Sequence, residues 1–587
     1  MTHGFDLVIR GGHVVDGTGA AAFEADVAIA NGEVVAVGRF SGRGASEIDA
    51  KGKLVTPGFV DIHTHYDGQA TWSERMQPSS IHGVTTAVMG NCGVGFAPCK
   101  PGDHDRLIRL MEGVEDIPFP VLTEGLPWTW EHFPEFLDSL EQRRFDIDIG
   151  TQLPHAALRV YVMGERGANR EPAGATDIAA MALLARRAVE AGALGFSTSR
   201  TLNHRTSDGQ PTPTLNASED ELMGIALGLA AADGGGRGVL QFVSDFADPE
   251  AEFGMLRRIV ERSGRPLSFS LTQHARVPTQ WRRMLAWLTQ ANETGLPMRA
   301  QVAGRPVGVL FGLELTLHPF VAHPSYREIA KRPFAERVAM LRDPAFRARL
   351  LSESTAAERG LVAHTERNWD QLFLMGQTPD YEQPRDRSIA ALAEQRGVKP
   401  QVVALDHLLS QDGRGMLYLP FLNYADGSLD PSYEMLIHPH TVPGLSDGGA
   451  HVGIICDGSF PTSNITHWTR DRTRGPKLRL EDVIRAQTRQ TAEAVGLGDR
   501  GLLKPGYRAD VNVIDFERLE LLSPEVRYDL PAGGRRLMQL ARGYDATIVA
   551  GQITYRDGQA TDALPGRLVR GARPHPPAHG DTPRAAE

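Results

Sequence analysis

Cysteine is nearly absent: Cys92, Cys99 and Cys456 are the three in 587 residues. That is too few to staple a chain of this length, so a disulfide-built scaffold is excluded and each thiol reads as a buried group or a ligand. Long apolar runs are also missing, and nothing approaches the ~20 residues that a membrane-spanning helix needs. The opening "MTHGFDLVIRGG" has no basic segment followed by an apolar core, so the expected location is cytoplasmic, with no membrane partner. Positive charge is not in excess, since 62 Lys and Arg face 72 Asp and Glu for a net charge of −10, which argues against nucleic acid as a partner. What is present, 41% hydrophobic and 23% charged residues, is the make-up of a globular chain able to bury a sizeable core.

The first 56 residues read as short strands and turns, "FDLVIRGGHVVDGTG" and "ADVAIANGEVVAVG", with Asn-Gly and Asp-Gly pairs between β-branched runs. The same texture returns in "ADVNVIDFERLEL" and "ATIVAGQITYRDGQ". We therefore expect residues 1–57 and 500–562 to form one small β-sandwich domain, with residues 58–499 inserted as a second unit. In that unit apolar strand-like runs alternate with helical patterns, from "GVTTAVMGN" and "FDIDIGTQL" through "ATDIAAMALLARRAVEAG" to "GVLQFVSDF", "PLSFSLTQ" and "PMRAQVAG". Ser218 and Glu221 have the spacing of a capping box. About eight strands, each with a crossover, predict an α/β fold, a closed (β/α)8 TIM-like barrel. Residues 305–443 separate the last two strands and form an insertion, read as a cap or as a surface for contact between copies, so a homo-oligomer stays open. Residues 563–587, Pro-rich and polar, are expected to be a disordered tail.

"FVDIHTHYDG" (59–68) places His63 and His65 on one face of a strand that otherwise reads as buried. Buried imidazoles need partners, and a metal ion suits a facing pair. In a barrel they end strand one at the C-terminal face, where barrel enzymes keep their sites. Cys92, in "VMGNCGVGFAPC", follows strand two between glycines and is either a ligand for a borderline metal such as zinc or a small buried hydrophobe. Asp447, in "GLSDGGAH", ends the last strand as a ligand or a turn former, and His451 lies four residues on as a second-layer or substrate-facing group. His155, Arg200 and Arg205 fall near the ends of strands three and four, where a guanidinium fork can hold a substrate carboxylate.

The series "LVTPGFVDIHTHYDG", "GVTTAVMGNCGVGFAP", "GALGFSTSR", "GLSDGGAH" and "LLKPGYRADVNVID" resembles the amidohydrolase superfamily, in its D-aminoacylase (N-acyl-D-amino acid deacylase) branch, from about residue 5 to 555. The resemblance implies that His63 and His65 bind zinc, that Cys92 bridges toward a second metal position, and that Asp447 is both ligand and general base. It also implies two further histidines from strands five and six. Here Gln241 stands where the first is expected, and Gln273 or His274 lies nearest the second. One tight zinc and a doubtful second metal are therefore expected. The expected substrate is a small molecule, an N-acyl-D-amino acid or a related amide. Two rival readings are hydrolysis of a cyclic amide, imide or carbamate, and a non-catalytic scaffold that has lost metal ligands.

Overall fold

The computed structural model describes residues 4–232, 238–354 and 368–577. Eight short parallel strands form its centre: β1 (Phe59–Asp61), β2 (Val84–Met89), β3 (Asp148–Pro154), β4 (Gly195–Arg200), β5 (Val239–Ser244), β6 (Leu267–Ser270), β7 (Met298–Val302) and β8 (Thr441–Pro443), each hydrogen-bonded to the next. Every residue of β2 and β3 is buried, as befits strands covered on both faces. The ring closes beyond the ends of β1 and β8, where Thr64 bridges Gly448 in parallel and the His65 N–H donates to the Gly448 carbonyl at 2.8 Å. The chain thus forms a TIM-like barrel, and the closing seam carries His63, His65 and Asp447.

Helices cover the barrel wall through apolar stripes. The helix Ala175–Ala191 buries Met181, Ala185, Ala188 and Val189. Only half of the capping box forms: Ser218 Oγ accepts from the Glu221 N–H at 3.2 Å, while the Glu221 carboxylate turns away to His155 and Arg159. Glu221 therefore caps with its backbone and serves a different network with its side chain. Near the end, "LEDVIRAQTRQTAEAVGL" is helical from Leu480 to Ala494 but passes through a π-helical stretch at Ala486–Gln490.

A separate β domain draws on both ends of the chain. Its nine-stranded sheet joins five strands between Phe5 and Pro57 to four between Val511 and Ala560. The seam is the antiparallel pairing of Leu54–Pro57 with Val511–Ile514. One apolar core takes Leu7, Ile9, Val27 and Ile29 from the first group and Val511, Val513 and Ile548 from the second. The Asn31-Gly32 and Asp557-Gly558 pairs have positive φ at both positions, the backbone that a two-residue hairpin of this twist demands. Asp148, at the start of β3, is buried and receives Arg500 at 2.8 Å and Arg508 at 2.9 Å, tying the bottom of the barrel to that domain.

The tail differs from expectation as far as residue 577, and residues 578–587 lie outside the described residues. Strand β3 pairs with β2 through Asp148–Thr151 but with β4 only through Gln152–Pro154. Its first half therefore has a free edge toward β4. Leu568 fills it: the Ile149 N–H donates to Arg567 O at 3.0 Å and the Val569 N–H to Ile149 O at 2.7 Å. Burial of Leu568 and Val569 and an unpaired strand edge outweigh the polar, Pro-rich composition.

Between β7 and β8 the insertion folds a three-stranded sheet (Val307–Phe311, Phe373–Leu374 and Leu417–Leu422) on its own apolar core, which includes Phe320, Leu341, Leu350 and Leu408. It abuts the loop after β8, where the Leu310 N–H donates to Ile454 O at 2.8 Å and the Thr316 N–H to Gly453 O at 3.2 Å. Among the described residues no helix is long and apolar enough to cross a membrane.

Candidate functional site

Past Asp61 the first barrel strand runs on to His63 and His65, whose rings meet edge to face with centroids 5.6 Å apart. Cys92 arrives from the turn after β2. It has φ +55°, between Gly90 at +78° and Gly93 at +68°. A side chain at Gly90 would stand 2.2 Å from the Gln152 carbonyl, and one at Gly93 would stand 2.9 Å from Thr198 Cα. Only glycines let this turn press onto β3 and β4. Asp447 and His451 also sit in the left-handed region, at +49° and +50°. Such strain gathers where the surroundings over-determine a functional geometry.

The outcome is a convergence of donor atoms. His63 Nε2 lies 3.2 Å from Cys92 Sγ and 3.5 Å from Asp447 Oδ1, while His65 Nε2 lies 3.6 Å from the same oxygen. Donors arranged tetrahedrally at ~2.0–2.3 Å from one centre stand about 3.3–3.8 Å apart. His63, His65 and Cys92 form a compact donor set that could hold one metal ion, and Asp447 Oδ1 lies at its edge, facing both imidazoles. A second observation agrees: Asp447 Oδ1 is buried and makes no hydrogen bond among the described residues, a costly state for a carboxylate oxygen without a cation.

Charge tells the same story. Burial pushes the Cys92 thiol up to about 12, so a thiolate there requires a cation beside it. Burial also lowers His63 to about 4, which keeps its ring neutral and its lone pair available. Burial opposes a charged His65, yet Glu115, Asp447 and Cys92 outweigh it and hold that ring well above its ordinary value. Burial alone would likewise raise Asp447, but the imidazoles of His65 and His63 hold it well below the carboxylate range.

A surrounding layer of polar side chains faces the outer ring nitrogens. His63 Nδ1 donates to Gln301 Oε1 on β7 at 2.6 Å, and Gln301 Nε2 reaches Ser268 Oγ on β6 at 2.9 Å. With Nδ1 so engaged, Nε2 faces the cluster with its lone pair. Glu115, buried at the end of the helix His104–Glu115, lies 3.3 Å from His65 Nδ1 and 3.5 Å from His451 Nε2. Neither Gln301 nor Glu115 was singled out in the sequence. For Gln301 there was a signal, a lone amide within the buried run "MRAQV"; for Glu115 there was none.

Of the lower-weight ligands, Gln241 is at the cluster, but its Oε1 accepts the Cys92 N–H at 3.0 Å and its Nε2 has no partner among the described residues. His274 falls outside, on the loop past β6, accepting the Arg276 N–H at 3.2 Å. Gln273 is taken up by Asn423, Ala425 and Asp426. His451 stands 3.9 Å from Asp447 Oδ2.

The three expected substrate anchors all have partners within the chain. His155 is fully buried, with Nδ1 on Thr198 Oγ1 at 2.8 Å and Nε2 on Glu221 at 3.0 Å, so neither nitrogen is free. Arg200 forks onto Glu252 and also donates to the Ala217 carbonyl. Arg205 donates to the Leu202 and Gly209 carbonyls of its own loop. Carboxylates and carbonyls within the chain engage all three, His155 and Arg200 within the scaffold and Arg205 on an exposed loop.

The His155–Glu221–Arg159 group yields a stability prediction. Burial opposes ionisation of Glu221, but His155 and Arg159 overcome it and hold the carboxyl at about 2. A depressed folded value stabilises fully above the unfolded carboxylate value of ~4.3 and is lost as pH falls toward 2. Denaturant titrations should therefore show a wild-type advantage over Glu221→Gln that is larger at pH 7 than at pH 3.5 by on the order of 1 kcal/mol. An advantage that does not shrink would refute the charge assignment.

The amidohydrolase family model, Amidohydro_3, matches residues 46–555. An uncharacterised protein of Mycobacterium tuberculosis is 26% identical over 594 residues, covering 94% of this chain and 92% of its own. The D-aminoacylase of Alcaligenes xylosoxydans xylosoxydans is 31% identical over 233 residues, 39% of this chain and 43% of that protein. Among solved structures, the N-acyl-D-glutamate deacylase of Bordetella bronchiseptica, complexed with zinc and a phosphonate inhibitor, superposes with a TM-score of 0.62 at 22% identity, over 96% of this chain and 99% of that one.

Proposed function

Since this chain belongs to the amidohydrolase family, and is on that ground a hydrolase of carbon–nitrogen bonds other than peptide bonds, we propose that it deacylates N-acyl-D-amino acids. The observation that carries the reading is the buried donor set of His63, His65 and Cys92, with Asp447 3.5 and 3.6 Å from the two imidazoles. These four would hold the metal, and a set of imidazoles, thiolate and carboxylate suits zinc. When bound, such an ion supplies Lewis-acid polarisation of an amide carbonyl and acidifies water. Support for a D-configured substrate comes from the relatives, a D-aminoacylase at 31% identity and an N-acyl-D-aspartate deacylase at 35%, each over part of the chain.

The chain's own residues supply the proton path. Asp447 is the one donor side chain of the His63, His65 and Asp447 set that faces outward, 18% exposed against 1% for each imidazole. It accepts the proton of the attacking water and passes it to the leaving amine nitrogen. Gln301 holds the His63 imidazole in the orientation that keeps its Nε2 on the cluster, and the Glu115 carboxylate lies 3.3 Å from His65 Nδ1 as its charge partner.

Paired N-acetyl-D- and N-acetyl-L-amino acids, offered to zinc-loaded protein with and without a chelator, test the reading. The D series should be hydrolysed at least about tenfold faster, a difference of ~1.4 kcal/mol in transition-state binding, and the chelator should abolish it. An enzyme that prefers the L series, or that opens only cyclic amides, would overturn the substrate.

A further inference from the structure

One imidazole near the cluster remains unassigned. His204 lies in the loop after β4, half-buried, with Nδ1 2.8 Å from Ser199 Oγ. Its Nε2 makes no hydrogen bond among the described residues. Ser199 is placed by the glycine turn at the metal-ligand cluster, since a side chain at Gly93, next to Cys92, would stand 3.1 Å from the Ser199 N. The other flank is set by Gly113, two residues before Glu115: a side chain there would stand 2.2 Å from the Arg205 carbonyl. His204 is thus held between the turn that bears Cys92 and the helix that ends at Glu115.

The loop is built to keep it there. The Leu202 N–H donates to Asp245 at 2.7 Å, the Thr212 N–H to the His204 carbonyl at 3.0 Å, and Thr214 Oγ1 to the Ser199 carbonyl at 2.6 Å. Arg200 and Arg205 brace the same loop through Glu252 and the Leu202 carbonyl. Burial, reinforced by repulsion from His451 and His65, lowers His204 to about 3, so the ring is neutral in any assay. With Nδ1 paired to the Ser199 hydroxyl, Nε2 is the nitrogen left to face a substrate, and the tautomer in which Nδ1 accepts from that hydroxyl places the hydrogen there.

We propose that His204 donates a hydrogen bond from Nε2 to the carbonyl oxygen of the scissile amide as that oxygen gains negative charge. The proposal rests on the amide reading above and adds to it a preorganised donor, on the side of the cluster formed by the loop after β4. A neutral imidazole suits the task, because it strengthens its bond as charge develops and transfers no proton.

Kinetics of His204→Ala and His204→Gln, both zinc-loaded and checked for metal content, provide the test. His204→Ala should lose about 100-fold in kcat and shift KM by less than about threefold. His204→Gln, which keeps an N–H near the place of Nε2, should recover at least about tenfold of that loss. An N-phosphonyl-D-amino acid, a tetrahedral anion, should bind His204→Ala about 100-fold more weakly than wild type, while the free D-amino acid binds both alike. Unchanged kcat, a Gln variant as slow as Ala, unchanged phosphonate affinity, or loss of metal in His204→Ala would each overturn the proposal. A wild-type enzyme inert on every amide would overturn the amide reading instead, and the phosphonate arm would still decide whether His204 meets an anionic oxygen.

Discussion

Asp447→Asn is expected to fold, to keep its metal, and to turn over its amide substrate between about 100- and 10,000-fold more slowly than wild type, the range for removing a positioned general acid-base group. Folding should survive because the backbone at Asp447 has φ +49°, and asparagine is among the side chains that tolerate that region best. The amide oxygen can still approach the position of Oδ1, 3.5 Å from His63 Nε2, so the ligand is weakened rather than deleted. What disappears is the capacity to take a proton and give it back. Single-turnover rates on purified, metal-quantified protein make the measurement. A folded variant within about threefold of wild type would remove Asp447 from the proton path.

Elemental analysis of protein purified without added metal should find one zinc per wild-type chain and essentially none in His63→Ala. The substitution removes a neutral imidazole that Gln301 orients at 2.6 Å. Loss of a direct ligand should exceed the 10–100-fold in affinity that loss of an orienting partner already costs. The stoichiometry of one follows from Gln241. Its oxygen is committed to the Cys92 N–H, which leaves the buried NH2 group without a partner among the described residues, and an amide NH2 offers a cation no lone pair. His274, the other candidate for that position, is engaged by the Arg276 N–H outside the cluster. Two zinc ions per wild-type chain, or metal retained by His63→Ala, would contradict this account.

The sequence was informative where chemistry and backbone requirement coincide within a few residues. His63 and His65 share a strand face, Cys92 and Asp447 stand beside glycines, and all four lie together. The Asn31-Gly32 and Asp557-Gly558 turns were legible for the same reason, since each pair demands a backbone that few other residues supply. Function assigned by reach alone did not transfer. Arg200 and His155 have the right chemistry for a substrate carboxylate, but their partners, Glu252 and Glu221, come from helices 52 and 66 residues further on. The linear chain says that an arginine can hold a carboxylate and does not say whose. Glu115 was passed over for the converse reason: the imidazoles it faces, His65 and His451, are distant in sequence, and nothing local marks it.

The strand contributed by Leu568 sets an order on assembly. During synthesis the barrel emerges with the β4-side edge of β3 uncovered at Ile149, and the segment that covers it leaves the ribosome only after the second half of the β domain, Val511–Ala560, has appeared. An open strand edge invites pairing with another chain. Ending the chain at residue 562 would leave that edge permanently uncovered and turn a late folding intermediate into the final product.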